Sequence, residues 1–334
     1  MHGLDCSCAR PCAYRQVLAS SPDTIDTLHG LVKQSGGQWA PVKQMPPLST
    51  SGRGHAASVP KQLRTHLRRN LRIITREPAM ARARVGSHLV VGLLMGGIYY
   101  NLGGNTNLQN AIADRIALSL FSMIFLMLSS TLPTVLTLLP ELTVIRKEVR
   151  NNWYGVPAYY AAKLLAEAPL LILPPLLYLS TAGMMSGLSD SESGWRFGYL
   201  YVACFCVTLV AHSWATVLSC AAPTLPIAIF LAPSSIMPMI LFAGFFKNVA
   251  SIPWALRWIS YVDYMRYCWE MLGIAAFYDL SLAPPYSGAQ VLEQRLRFSS
   301  PNTAGFWRAF GIVIGFVLLF RVISLFVLKR RISK

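Results

Sequence analysis

Residues 141–163 read ELTVIRKEVRNNWYGVPAYYAAK, a charged island between two long apolar runs. Arg146, Lys147, Arg150 and Lys163 lie within about twenty residues of those runs, where a surplus of Lys and Arg in a short loop holds it on the cytoplasmic side. The island therefore sets the sidedness of the chain. Glu141, Ile145 and Glu148 recur at three to four residues, so 141–148 predicts a short charged helix lying across the membrane surface. Composition by itself also accommodates a solvated loop that only satisfies topology.

Around this island the chain of 334 residues is 54% hydrophobic and 13% charged, with a mean hydropathy of +0.43. That is too much apolar surface for a soluble domain of this size, and it indicates a polytopic membrane protein. The net charge of +16 does not point to nucleic acid, because the basic residues cluster at cytoplasmic margins, where they set topology and meet anionic lipid heads. The seven cysteines form no framework. Cys204, Cys206, Cys220 and Cys268 have apolar neighbours, and Cys6, Cys8 and Cys12 have no common zinc spacing, so free thiols and no metal are expected. Residues 1–30 lack an apolar signal core, which leaves the first span to act as the insertion signal.

Outward from the island, 1–60 is rich in Ser, Gly, Pro and Gln without period and is expected to be disordered. No GxxxxGK[ST] phosphate loop occurs in the chain. Residues 61–84 carry seven arginines, with Leu63, Leu67, Leu71 and Ile74 at helical spacing, and predict an amphipathic basic helix, bent or broken at Glu77-Pro78. Apolar runs predict six spans at about 85–101, 116–139, 164–185, 197–220, 227–246 and 305–328, with both ends cytoplasmic. Gly92, Gly96 and Gly97 permit close helix contact in the first span, and Pro133 predicts a kink in the second. The third span is interrupted by Pro169, Pro174 and Pro175. Near its start, Glu167 falls one turn from Lys163 and reads as a pair at the cytoplasmic interface. His212 in the fourth span reads as a packed bridge between helices, and the uncharged connection 221–226 takes its side from alternation alone. Residues 247–304 are too polar to span and too aromatic for a free loop, which predicts a re-entrant outer segment covered by protein.

Leu132-Pro133-Thr134-Val135-Leu136-Thr137, Arg146-Lys147-Glu148, and Trp153-Tyr154 followed by Ala158-Tyr159-Tyr160-Ala161-Ala162-Lys163 occur in this order. Beyond them stand Ala243-Gly244-Phe245-Phe246-Lys247-Asn248 and Tyr264-Met265-Arg266-Tyr267-Cys268-Trp269-Glu270. This set resembles the membrane domain of subfamily G ATP-binding-cassette half-transporters, the white and sterol-exporter family, from about Gln62 to the C-terminus. It is most similar to the cholesterol and phospholipid exporting branch.

The resemblance implies an all-α fold of six transmembrane helices of the ABC-2 type, with an amphipathic connecting helix and a re-entrant helical hairpin before the last span. It makes 141–163 the coupling loop, with Glu141, Arg146, Lys147 and Glu148 receiving a nucleotide-driven push. It makes the basic helix either a transmitter of that push or an interfacial anchor, and one helix can be both. Two membrane domains, as a homo- or heterodimer with another subfamily G half-transporter, would enclose a slit lined by Phe125, Leu126, Ser129, Met237, Ile240 and Leu241. Phe245 and Phe246 would plug it on the outside. An apolar, uncharged slit fits membrane lipids or sterols as substrate, at a plasma or endosomal membrane. No hydrolytic constellation is present and no cofactor is expected in this chain, since ATP and Mg belong to the family's nucleotide-binding domain, which nothing in 1–60 resembles. The alternative expectation is a motorless dimerising partner that regulates or silences an intact half-transporter. A passive channel would need a polar pore lining, which the spans do not offer.

Overall fold

The computed structural model describes residues 58–76, 79–102, 108–151, 153–188, 195–246, 251–277, 288–294 and 302–333. The expectations for 1–57, for Cys6, Cys8 and Cys12, for the Glu77-Pro78 break, for Lys247-Asn248 and for most of the outer loop over 278–301 lie outside the described residues. Those described contain helices and no strand. In chain order the helices are α1 (Val59–Arg76), α2 (Ala79–Ile98), α3 (Leu108–Arg150), α4 (Val156–Ser186), α5 (Trp195–Ala221), α6 (Leu225–Phe242), α7 (Trp254–Val262), α8 (Tyr264–Phe277), α9 (Gly288–Gln294) and α10 (Thr303–Ser333).

Five of these, α3, α4, α5, α6 and α10, are long and apolar enough to cross a membrane. The first predicted span, 85–101, corresponds to α2. It has 20 residues, but Arg82 and Arg84 stand in its opening turns and lower its apolar character. The arginine-rich stretch 61–84 is thus divided between two helices. The prolines of the third span, Pro169, Pro174 and Pro175, lie inside one continuous 31-residue helix. α2, α1 and α5 pack along it, the setting in which a helix at membrane depth tolerates the backbone groups that such rings free. Its end is set by Gly187, whose φ of 68° admits the left-handed cap and whose N–H donates to the Met184 carbonyl.

The largest departure from the predicted elements is at 141–148. These residues are not a separate surface helix, because α3 continues unbroken through Pro133 and Pro140 for 43 residues, a rod of about 65 Å. Val135, Leu138, Leu142 and Ile145 are buried along it, so the apolar stripe of the span persists into the charged segment. The larger core forms where α3, α5, α8 and α10 meet, around Leu118, Leu126, Val207, Trp269 and Phe306. A second core joins the loop residues Tyr154, Tyr159 and Tyr160 to Cys220 of α5 and Leu328 of α10. Arg331 closes this end by donating to the carbonyls of Ser219, Cys220 and Pro223 at the end of α5. The uncharged 221–226 connection therefore sits beside both the basic C-terminus and the charged loop.

The segment before the last span is two unlike helices joined at Asp263. In α7, Trp254, Trp258 and Tyr261 are exposed, whereas α8 from Cys268 to Phe277 is buried. Asp263 Oδ1 accepts the Met265 N–H at 2.9 Å, which caps α8.

Gly92 and Gly96 set the approach of α2 to α4. A Cβ at Gly92 would collide with Thr181 Oγ1, and one at Gly96 would stand 2.8 Å from Met185 Cβ and 3.2 Å from the Thr181 carbonyl oxygen. Gly97, grouped with them in the sequence, faces open space. Gly96→Ala should cost about 1–3 kcal/mol by overpacking, whereas Gly97→Ala should be neutral or stabilising by up to about 1 kcal/mol through helix propensity. Thermal unfolding of the two purified variants in detergent checks the opposite signs.

Candidate functional site

The charged loop becomes a site because α1 is docked onto it. The face that docks is not the leucine stripe of this amphipathic helix: Leu63 and Leu67 are half-buried, and Leu71 is 41% exposed. Gln62 and His66 are buried instead, one turn apart, and Arg69 follows in the next turn. Gln62 Oε1 accepts the Gly155 N–H at 3.1 Å, which fixes the N-cap residue of α4. His66 packs edge-on against Tyr154 and Tyr159. Arg69 Nη1 donates to both oxygens of Glu148, at 3.1 and 2.9 Å, and the Tyr154 hydroxyl donates to the same carboxylate. A basic helix, the end of the α3 rod and the start of α4 are thereby held at one point. Of the other predicted coupling residues, Glu141 joins this assembly from α3, Lys147 is exposed, and Arg146 is half-buried.

A chain of polar side chains leads from this junction into the bundle. Glu141 Oε2 accepts from the Tyr159 hydroxyl at 2.8 Å and from Lys163 Nζ at 2.7 Å. Lys163 is 3.2 Å from Glu167, whose other oxygen is 2.9 Å from His212 Nε2. Arg321 of α10 donates to His212 Nδ1 at 2.7 Å. A guanidinium can only donate, so His212 Nδ1 accepts and its proton resides on Nε2, directed at Glu167. The pairing of Glu167 with Lys163 read from the sequence is present, and His212 bridges α4 to α10. Arg321 and His88 were not singled out in the sequence, although a lone charge deep in an apolar run is itself a signal. His88 donates from Nδ1 to the Arg84 carbonyl, and its Nε2 is 3.2 Å from Ser129 Oγ.

The residues predicted for the slit divide into two groups. Phe125 and Ser129 on α3 are half-buried, and Met237 and Leu241 on α6 are exposed. Leu126 and Ile240, in contrast, point into the core of the chain itself, because their neighbours one residue away occupy the outward arc of each helix. Phe245 is half-buried with its ring against Trp269, and Phe246 is 62% exposed beside it.

Residues 61–277 match the family model described as ABC-2 type transporter. The chain belongs to this family. Its relatives are G-family ABC proteins. Protein white of Drosophila melanogaster is 30% identical over 289 residues, covering 81% of this chain and 39% of that protein. ABC transporter G family member 23 of Arabidopsis thaliana is 27% identical over 271 residues, covering 79% and 42%. The chain spans about two fifths of the length of these curated relatives. It is an all-α ABC-2 membrane domain of the G family, integral to the membrane.

Glu167→Gln leaves Lys163, whose side chain is 9% exposed, with one carboxylate in place of two. Because Glu141 still pairs with Lys163, the loss is that of one charge-assisted contact, about 1.5–3 kcal/mol, and it should appear as a lowered unfolding temperature in detergent. Burial, aided by the nearby Arg69 and opposed by Glu148, holds the His66 pKa below its ordinary 6.5. The undocked helix therefore takes up a proton that the docked one resists, so docking is strongest above pH 6.5 and weakens as the pH falls below it. Hydrogen-exchange protection of α1 should decline as the pH falls below 6.5, and His66→Phe should remove that dependence.

Proposed function

We propose that this ABC-2 domain is the transmembrane half of an ATP-driven lipid or sterol exporter, and that it pairs with a second G-family membrane domain around a central slit. The observation that carries the reading is the character of the α3 and α6 faces. From 116 to 140 α3 has no charged residue, and α6 has none at all. Phe230, Met237 and Leu241 form an exposed stripe on α6, and the polar Ser129 is engaged by His88 and its own helix. Ser234, exposed between Phe230 and Met237, spends its hydroxyl on the Phe230 carbonyl, so the surface offers contact area to an apolar solute and little to replace the hydration of an ion or a sugar.

Nucleotide binding at an ATPase domain, on the same polypeptide or on a partner, pushes the junction of α1 with the α3–α4 loop on the cytoplasmic side. Because Glu148 and Phe125 lie on one helix, the push reaches the slit along the α3 rod. Pro133 and Pro140 remove backbone hydrogen bonds within that rod and give it its compliant section. The slit closes from below, Phe246 and Phe245 move aside, and the lipid leaves outward. Only contacts that differ between the two states drive the transfer. The plasma membrane and endosomal membranes both supply such substrates.

Met237→Asp tests the slit, since Met237 is 60% exposed and its replacement leaves the core intact. In proteoliposomes containing this domain with its ATPase partner, ATP-dependent export of cholesterol or phosphatidylcholine should fall by about tenfold or more, matching the cost of a carboxylate at membrane depth. Unchanged lipid export by a folded Met237→Asp protein contradicts the proposal.

A further inference from the structure

α1 carries six basic residues and no acidic one along its 18 residues. Successive side chains turn by about 100°, which sorts them into three arcs. Gln62, His66 and Arg69 form the arc that docks on the charged loop. Leu63, Leu67, Leu71 and Ile74 form the next. Lys61, Arg64, Arg68, Arg72 and Arg76 form the third, and all five are exposed.

Docking accounts for the first arc alone. Among the described residues Arg69 is the one basic residue of α1 with a carboxylate at ion-pair distance, that of Glu148, so the third arc presents uncompensated charge. The leucine arc is not consumed by the loop either: Leu71 is 41% exposed, and Leu63, Leu67 and Ile74 are half-buried. An apolar arc flanked by a basic one is the composition of a helix at a membrane surface, with its leucines toward the acyl chains and its cations at the headgroups. The depth agrees. Asn70 and Ile74 line one cavity with Pro133 and Thr137 of α3 and Ala166 and Leu170 of α4, so α1 runs beside the loop ends of two spans. The first span, α2, starts directly after α1 at Ala79 and exposes Arg82 in its first turn.

We propose that the basic arc of α1 binds the anionic phospholipid headgroups of the cytoplasmic leaflet, and that this binding sets how firmly α1 stays docked on the α3–α4 loop. The inference is independent of what the domain exports. Anionic lipids give that leaflet a negative surface potential, which strengthens binding by about fivefold for each basic residue at the surface. The exposed Arg69–Glu148 pair contributes little by itself. With the loop on one arc and the headgroups on another, α1 is held from two directions, and a leaflet poor in anionic lipid holds it from one. An acidic protein face would satisfy the cations but leave the leucine arc without an apolar neighbour, which favours a lipid surface.

The test is hydrogen exchange of the full chain in lipid nanodiscs of phosphatidylcholine alone, or of phosphatidylcholine with phosphatidylserine at the proportion of a cytoplasmic leaflet. α5, buried in the larger core, serves as the internal control for folding. Wild-type α1 should exchange at least about tenfold more slowly in the phosphatidylserine discs. The difference should shrink as salt rises from about 0.1 M to about 1 M, which shortens the screening length from about 10 Å to about 3 Å. Arg64→Gln, Arg68→Gln and Arg72→Gln combined should erase the difference and leave exchange in phosphatidylcholine unchanged, because all three side chains are exposed. Arg69→Gln should instead speed exchange in both kinds of disc, since it breaks the contact with Glu148. Equal exchange of wild-type α1 in the two kinds of disc overturns the proposal, as does a triple variant that keeps the response to phosphatidylserine. So does slowing that appears only when the ATPase partner is added, which would give the basic arc to a protein face.

Discussion

A charge that leaves water at the end of an apolar bundle must take a partner with it, and this requirement organises the loop end of the domain. Lys163 stands between Glu141 and Glu167, on two helices. Glu148 is shared by Arg69 and Tyr154, and Arg331 takes the carbonyls that end α5. Each of these joins elements that the apolar cores alone would leave free to slide, since between helices in lipid the hydrophobic effect supplies no directional force. The contribution of the exposed pair to stability is small: Arg69 keeps 41% of its side chain accessible, and such pairs are worth at most about 1 kcal/mol. Their value lies in fixing which parts move together.

The continuous α3 helix gives that attachment its reach. Glu148 and Phe125 lie on one continuous helix, so displacement at the loop is passed along unbroken backbone that can bend at Pro133 and Pro140. At the other end of the bundle α7 is an exposed aromatic surface while α8 is sunk in the core and tied to α10 by Glu270 and Arg308. That end is therefore anchored through α8, whereas the loop end carries its attachment at the surface, where Arg69 is 41% accessible.

Much of this was legible in the sequence. The apolar runs gave the long helices, the spacing of Lys163 and Glu167 gave their pair, and the aromatic stretch after Phe246 gave the two short helices. Other features were hidden for identifiable reasons. Pro140 and the charges after it look like the end of a span, but a proline is tolerated where neighbours cover the freed carbonyl, and Leu142 and Ile145 keep the buried stripe going. The leucines of α1 marked an amphipathic helix but not the face by which it docks, because the surface that receives α1 is made of Tyr154, Tyr159 and the Gly155 amide, which suits Gln62 and His66. Leu126 and Ile240 have the composition of slit residues, yet one position on a helix turns a side chain by about 100°, and no apolar pattern separates a core face from a partner face when both are greasy. Arg321 was visible as an isolated charge, but its link to Glu167 through His212 runs across three helices.

The most direct test of the coupling role of the α1–α3 attachment is a charge exchange at Arg69 and Glu148. Arg69→Glu, Glu148→Arg and the double variant would be compared for ATP-driven sterol or phospholipid export by the domain together with its ATPase partner in proteoliposomes. Each single reversal should abolish most export while leaving ATP hydrolysis and folding in place, and the double variant should regain a large part of it. Export that survives both single reversals, or a double variant no better than either, would contradict a push transmitted through this pair.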